Sequence, residues 1–152
     1  MRKQKCALSE EQTLDLIKNN TYGVLGLCAG EKPYTVPMNY AYKNGALYFH
    51  GAYEGLRYEY AVFNDQASFC VVDHETLVPE IFSTDYASAI VFGTLEIVKD
   101  EDEKKEALLA LIEHLAPENI EKGMEYINRS WQNACVFKLN MEQCTGKERR
   151  RK

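Results

Sequence analysis

The sequence predicts a mainly β protein, an antiparallel barrel of six or so strands with peripheral α-helices. Short runs of β-branched, aromatic and apolar residues alternate with polar or glycine-containing turns, which is typical of hairpin-linked strands. Amphipathic helical patterns occur only between or beside these runs, so a doubly wound parallel sheet is disfavoured. With 152 residues, 45% of them hydrophobic and 27% charged, the chain suits one domain with a buried core.

Local signals define the first helix and three strands. Ser9 and Gln12 have the spacing of a capping box, which predicts a helix running from there to Asn20. Strands are predicted at residues 22–28, 34–42 and 46–50. The Asn44–Gly45 pair favours a tight turn between the last two, because both residue types tolerate positive φ angles.

The second half of the chain continues with strands and two longer helices. A glycine-containing segment at 51–55 precedes Leu56–Phe63, whose apolar residues have helical spacing. We further predict a strand at 67–72, a loop at 74–84, a strand at 86–98, helices at 100–115 and 118–128, and a strand at 134–139. Gly93 is expected at a bulge or barrel corner, and Pro117 ends the first of these helices.

Charge and hydropathy exclude several functional classes. The net charge is −5, and the only dense basic run is Lys147–Lys152, so the main body lacks the footprint of a nucleic-acid binder. We predict a single domain at 1–145 and a solvated basic tail at 146–152. The chain has no apolar leader and no stretch long enough for a membrane helix, so we expect a soluble, cytoplasmic protein without membrane contacts.

Motifs for metal binding or nucleophilic catalysis are missing. The five cysteines are odd in number and far apart, and no Cys/His cluster has metal-ligand spacing. Free thiols and no metal site are therefore expected, and no cysteine is assigned to catalysis. The sequence also lacks the nucleophile elbow, the Walker P-loop, the zincin helix motif and the dinucleotide-binding glycine motif.

The stretch from Tyr48 to Arg57 carries the features of a phosphate-binding loop. A bound phosphate needs exposed backbone N–H groups, glycine for close approach, a helix N-terminus and a nearby cation. Gly51, Gly55, the helix beginning near Leu56 and the side chain of Arg57 supply them. The same pattern also fits an ordinary strand-to-helix turn, so both interpretations stay open at this point.

Two strand segments near this loop are further candidates. His50 ends the third strand, where alternation places it on the face opposite Phe49. It can donate to a bound ligand, or it is a plain polar surface residue. Pro37, followed by Met38 and Asn39, indicates an edge or bulge whose backbone groups are free to bind a planar ligand.

Four segments in order, at residues 36–40, 48–52 with 54–57, 86–93 and 145–148, resemble a known family. They are similar to the nitroimidazole-resistance (Nim) branch of the pyridoxamine 5'-phosphate oxidase-like proteins, and together they span nearly the whole chain. The resemblance implies an FMN-binding split barrel. It also implies a homodimer in which both subunits form the cleft for each FMN.

By position, the resemblance gives FMN-binding roles to a defined set of residues. These are Val36, Pro37, Met38, Asn39, His50, Gly51, Ala52, Gly55, Arg57 and Ser88. Residues 36–39 would face the isoalloxazine ring, residues 50–52 would lie beside it, and Gly55 and Arg57 would hold the phosphate. Arg57 replaces the expected Lys, but its planar fork binds phosphate bidentately, so the role is kept. Ala89 replaces a more usual Val, which affects packing only.

The resemblance implies an FMN-dependent oxidoreductase that passes electrons to a small acceptor such as a 5-nitroimidazole. His50 is the candidate catalytic residue, because its pKa suits proton transfer near neutral pH and it would position or protonate the acceptor. Three alternatives stay open. They are oxidation of pyridoxamine phosphate, a non-catalytic flavin-binding or redox-sensing protein, and a haem-binding relative in which His50 is an iron ligand.

Overall fold

The computed structural model of the protein describes residues 6–150. Seven strands form one antiparallel sheet, with four α-helices packed around it. The strands are β1 Tyr22–Ala29, β2 Lys32–Asn39, β3 Ala41–Lys43, β4 Ala46–Gly51, β5 Gln66–Val78, β6 Ser83–Ile97 and β7 Cys135–Arg149. The helices are α1 Glu10–Asn19, α2 Leu56–Phe63, α3 Glu101–Leu115 and α4 Ile120–Ser130. The predicted mainly β class is confirmed.

The sheet order is β2-β1-β5-β6-β7-β4-β3, so its two edge strands are β2 and β3. These two strands follow each other in the chain, separated only by Tyr40, so the sheet curls and brings its two unpaired edges close together at that residue. The β3–β4 ladder ends at the pair Ala41–Tyr48. Beyond it, within the described residues, the end of β4 pairs only with β7, and β2 pairs only with β1. We call the opening between Met38–Asn39 of β2 and His50–Gly51 of β4 the split.

Two cores lie on opposite faces of the curled sheet. The inner core contains Phe49 and Phe69, whose ring centroids are 5.0 Å apart. The outer core packs Tyr48 and Val136 against the apolar stripe of α3. Because successive strand residues point to opposite faces, the end of β4 contributes to both sides, with His50 following Tyr48 outwards.

Several local predictions are confirmed. Ser9 and Gln12 form both hydrogen bonds of the capping box at the start of α1. Helix α2 has the predicted bounds. Asn44 and Gly45 have φ angles of 50° and 81° in the turn before β4. The β6–β7 register shifts between Phe92 and Gly93, where a bulge was expected.

The predicted loop at 74–84 is wrong, because β5 and β6 continue through it as a paired hairpin arm. Leu77 pairs with Thr84 near the tip, which is a 3₁₀ turn at Pro79–Ile81. The predicted strand at 34–42 is divided at Tyr40, whose hydroxyl donates to the Ile17 carbonyl of α1. This division gives seven strands rather than about six.

The last strand is longer than predicted. β7 extends from Cys135 to Arg149, because β6 pairs with it as far as the contact between Tyr86 and Arg149. The boundary predicted at residue 145 therefore falls inside β7, and residues 151–152 of the predicted tail lie outside the described residues. Helix α4 begins at Ile120, after a 3₁₀ turn, rather than at residue 118. Among the described helices, none is long and apolar enough to cross a membrane.

Candidate functional site

Arg57 spans the split. The helix that carries it follows Gly55, whose φ of 88° favours glycine. The guanidinium Nη1 donates to the Met38 sulfur at 3.0 Å, and its carbon lies 5.4 Å from the centroid of the Phe137 ring. A Cβ atom on Gly51 would lie only 1.8 Å from Nη2. The missing side chain of Gly51 therefore makes the space in which the guanidinium lies.

The charge of Arg57 has no counterion in the described part of the chain. No carboxylate there lies within 4.0 Å of the guanidinium, and its buried Nε has no hydrogen-bond partner. The N-terminus of α2 beside it has no side-chain cap, so its first backbone N–H groups are also available. A buried donor without a partner is costly, and an anionic group bound here would satisfy both the guanidinium and the helix end.

His50 lies next to this cation on the outward face of β4. Burial lowers the pKa of His50 below its ordinary value, and the positive charge of Arg57 lowers it further. Both effects favour the neutral imidazole at pH 7. The ring forms no hydrogen bond to any residue from 6 to 150, so both nitrogens are free to contact a ligand.

A cavity of about 540 Å³ opens beside His50. It lies between the end of β4, helices α3 and α4 and the 3₁₀ turn at Trp131–Asn133. Most of its wall is apolar, and His50 is the titratable group at the end of β4 that faces it. The lining includes Gly51, Ala52, Leu108, Leu111, Tyr126, Ile127 and Trp131. This composition suits a small and mostly uncharged molecule.

The predicted site residues of β2 also border the split. Val36 and Met38 point inwards and pack with the inner core. Pro37 and Asn39 point outwards and are exposed, and the Asn39 side-chain amide donates to the Thr21 carbonyl at 2.9 Å. The structure therefore brings residues 36–39, 50–52, Gly55 and Arg57 around one opening.

Ser88 lies elsewhere. It is on β6, where it pairs with Val72 of β5 and Lys147 of β7. His50 pairs with Val136 of β7, far along that strand from Lys147. Two strands, β1 and β5, separate β6 from β2. One copy of the chain does not bring Ser88 to the split, so its cofactor contact stays a prediction that requires a second copy.

Trp131 and the facing sides of α3 and α4 were not among the predicted site residues. Their apolar periodicity predicted core helices, and it did not show that a cavity is left beneath them. Lys104 of α3 was also missed, although it is only 3% exposed. Lys104 stands three residues before Ala107 and four before Leu108, so it lies on the same helical face as the apolar stripe. This spacing could have predicted its burial.

Comparison with known proteins identifies the family of the chain. The sequence model for pyridoxamine 5'-phosphate oxidase matches residues 9–148. The chain belongs to the pyridoxamine 5'-phosphate oxidase family. No curated protein matches the chain.

Solved structures extend the family comparison. A candidate 5-nitroimidazole antibiotic resistance protein from Bacteroides thetaiotaomicron is 27% identical, with a TM-score of 0.79 over 93% of this chain and 85% of that one. An FAD-binding protein from Mesorhizobium loti is 23% identical, with a TM-score of 0.69 over 95% and 97% of the two chains. An FAD- and haem-binding protein from Mycobacterium smegmatis is 19% identical, with a TM-score of 0.80 over 92% and 71%. The last two proteins are less than 25% identical to this chain, and their similarity shows a shared fold.

Proposed function

We propose that the protein is an FMN-dependent oxidoreductase that reduces a small nitro compound such as a 5-nitroimidazole. The observation that carries the proposal is the guanidinium of Arg57, which has no counterion among residues 6–150 and lies across the split beside a helix N-terminus without a side-chain cap. A flavin phosphate needs such a combination of cation and backbone donors. The proposal is also supported by the flavin-binding proteins among the similar structures.

The residues around the split fit FMN. Arg57 and the backbone of α2 after Gly55 would hold the phosphate, and the backbone of 36–39 and 50–52 would border the flavin ring. Bound FMN would supply the redox chemistry, taking two electrons from a donor and passing them to the acceptor. The chain itself would bind the acceptor in the apolar cavity and limit the access of water to it.

The proposed acceptor is a nitro compound because the cavity and His50 suit one. Apolar walls accommodate a flat heteroaromatic ring, and the free imidazole of His50 at the mouth can hydrogen-bond a nitro oxygen. The resistance protein from Bacteroides thetaiotaomicron, at 27% identity, supports this choice. In this role the N–H group of the neutral His50 imidazole positions the acceptor by donating a hydrogen bond to a nitro oxygen as the nitro group is reduced.

His50→Ala tests the catalytic role. We expect the variant to retain FMN, because the phosphate contacts do not involve the imidazole. Reduction of 2-methyl-5-nitroimidazole by dithionite-reduced protein should slow about 100-fold, in the range for losing one hydrogen-bond donor to a developing negative charge. The measurement is anaerobic loss of nitro absorbance after recording the flavin spectrum. His74→Ala, which removes an exposed imidazole paired with Asp73, is the matched control.

The same spectra test the alternatives. An unchanged rate in His50→Ala with FMN retained would remove the proposed role of His50. Purified protein with a Soret band and no flavin bands would favour the haem-binding alternative. Wild-type protein that binds FMN but gives no nitro reduction would favour a non-catalytic flavin protein or pyridoxamine phosphate oxidation. A protein that takes up no FMN would overturn the proposed function.

We also propose a homodimer with FMN at the interface. The outward face of the central strands carries several exposed apolar side chains, which is typical of a protein contact surface. These include Tyr22, Val72, Ile90 and Phe92, with exposures between 39% and 54%. Ser88 lies on this same face of β6. A second copy covering it would bring Ser88 near a shared cofactor, as the family resemblance implies.

Ile90→Arg tests the dimer. Ile90 pairs with Cys70 and Thr145 in the middle of this face, so a buried guanidinium there would oppose association. We expect the wild type to have twice the chain mass of 17.4 kDa by light scattering, and the variant to be a monomer with weakened FMN binding. Met124→Arg, at an exposed position on α4, should remain dimeric. A monomeric wild type that binds FMN fully would contradict this arrangement.

A further inference from the structure

The most unusual charged group outside the split is Lys104 in the first half of α3. The residue is only 3% exposed, and lysine is rarely buried unless it is paired. Its Nζ donates to the Tyr53 hydroxyl at 2.8 Å and lies 5.1 Å and 5.2 Å from the centroids of the Tyr53 and Trp131 rings. One ammonium group therefore joins three separate segments of the chain, which are α3, the loop at 52–55 and the 3₁₀ turn that begins at Trp131.

The same three segments form walls of the apolar cavity at the end of β4. Trp131 lines the cavity itself, and Ala52 lines it one residue before Tyr53. Helix α3 contributes wall residues from one turn beyond Lys104 onwards, whereas Lys104 does not line the cavity. The ammonium thus lies behind the wall and connects its parts without contacting what the cavity would hold.

Stability alone does not account for a lysine at this position. The carboxylates close to it in sequence are paired elsewhere, Glu101 with Lys105 and Glu103 with Lys138. Within residues 6–150, no carboxylate lies within 4.0 Å of the Lys104 ammonium. Cation–π contacts and one hydroxyl compensate only part of the cost of removing this charge from water, and an apolar side chain of similar size often folds equally well.

We propose that Lys104 is a positioning residue for the electron acceptor, which holds the Trp131 indole and the loop at 52–55 in the arrangement that the acceptor requires. This inference rests on the proposed function, because it places the acceptor in the apolar cavity. Tyr53 is 44% exposed and Trp131 is half-buried, so packing alone does not fix either ring. Without the ammonium between them, both side chains gain rotamer freedom that acceptor binding must then remove.

Lys104→Met tests this role by separating binding from chemistry. We expect the KM for 2-methyl-5-nitroimidazole in the anaerobic assay to rise about tenfold, while kcat stays within about twofold of the wild type, because the lost contribution is one of binding. The melting temperature should not fall, because an apolar residue of similar size replaces a poorly paired buried charge. His50→Ala should instead slow the reduction itself.

Tryptophan fluorescence gives a readout that needs neither turnover nor an acceptor. Trp131 is the only tryptophan in the sequence, so its emission reports directly on this wall of the cavity. Acrylamide should quench the emission of Lys104→Met more strongly than that of the wild type. Lys104→Arg keeps a cation that can lie over both rings, and it should return both the quenching and the KM towards wild-type values.

Lys105→Met is the matched control on the same helix. Lys105 also lies over the Trp131 ring, but its ammonium forms an ion pair with Glu101 at the surface. Loss of this more exposed lysine should leave the KM unchanged. A rise in KM as large as that of Lys104→Met would mean that any cation near the indole has this effect, and it would overturn the assignment to Lys104.

Tyr53→Phe tests the connection to the loop and provides a test if Lys104→Met does not fold. The variant keeps the ring under the ammonium and removes only the hydroxyl that accepts from Lys104. We expect the KM to rise roughly threefold, as for the loss of one neutral hydrogen bond. An unchanged KM in this variant would overturn the proposal that Lys104 holds the loop.

The remaining outcomes distinguish this inference from the proposed function. A wild type whose reduced form does not react with the nitroimidazole overturns both. A wild type that reduces it, with the same KM in Lys104→Met, overturns only the role of Lys104. A raised KM that comes with a large fall in melting temperature and is not rescued by Lys104→Arg would show general damage to the fold, and it would also overturn the positioning role.

Discussion

Arg57→Met should weaken FMN binding roughly 10- to 150-fold, the range for losing a hydrogen-bonded charge worth about 1.5–3 kcal/mol. Met keeps an unbranched apolar stem against Phe137 and removes the fork that lies between Met38 and Gly51. Riboflavin binding should change little, because it has no phosphate. Fluorescence titration of both flavins measures the effect.

A second readout of the same variant does not depend on flavin. Arg57 is one of two causes that lower the pKa of His50, the larger being burial. In Arg57→Met the pKa should rise but stay below its ordinary value, which titration of the His50 ring signals by NMR can follow. The unfolded chain takes up this proton at higher pH than the folded protein. The low pKa of His50 therefore reduces the free energy of unfolding as the pH falls below about 6.5. This reduction should be smaller in Arg57→Met.

Arg57→Lys is the matched control for Arg57→Met. It keeps a positive charge but loses the planar fork, so its FMN affinity should lie between those of the wild type and Arg57→Met. Full FMN affinity in Arg57→Met would contradict the assignment of the phosphate to the split. An unchanged His50 pKa would contradict the electrostatic contact between the two residues.

The parts of the fold that sequence predicted well depend on short-range chemistry. The capping box at Ser9, the Asn44–Gly45 turn and helix α2 are specified by residues within a few positions of one another. The hairpin arm was missed because Asp73, His74 and Glu75 interrupt the apolar alternation expected of a strand. Its strands are maintained by pairing with each other. Such pairing between distant segments is not visible in the periodicity of either one.

The candidate site likewise combines features set by short-range sequence patterns with features that depend on tertiary packing. The glycine spacing and Arg57 predicted a phosphate loop, and phosphate binding there stays a prediction. The structure shows that the Arg57 guanidinium has no counterion among residues 6–150. The cavity beside His50 could not be predicted, because it depends on how far α3 and α4 stand from β4. Lys104 was hidden because helical lysines normally face water. Only tertiary packing under Trp131 and Tyr53 makes it a buried cation.

Gly51→Ala should impair FMN binding while sparing the fold. The backbone of Gly51 does not have a positive φ, and the three atoms nearest to the new methyl group all belong to the Arg57 side chain, with Nη2 at 1.8 Å and Cζ at 2.6 Å. The end of a flexible side chain can move away, so thermal stability should hardly change. The guanidinium would then leave the split, and we expect FMN affinity to fall roughly tenfold or more, as for loss of a charged hydrogen bond.

Gly93→Ala is the opposite case and serves as the control. Its methyl group would lie 1.8 Å from the backbone oxygen of Asn140 in the neighbouring strand, which cannot move without disturbing the β6–β7 ladder. Overpacking of this kind costs about 1–3 kcal/mol or more, which corresponds to roughly 2–4 °C of melting temperature per kcal/mol. The folded fraction should still bind FMN with its usual affinity, because the bulge is remote from the split.

A double-variant cycle completes the test of Gly51. If Gly51→Ala acts only by displacing the guanidinium, it should hardly weaken FMN binding further in the Arg57→Met background. The reason is that the effects of substitutions at contacting residues are not additive. Additive losses would mean that Gly51 affects FMN through its own backbone and not through Arg57. The absence of the Gly51 side chain would then serve close approach of the flavin, rather than provide space for the cation.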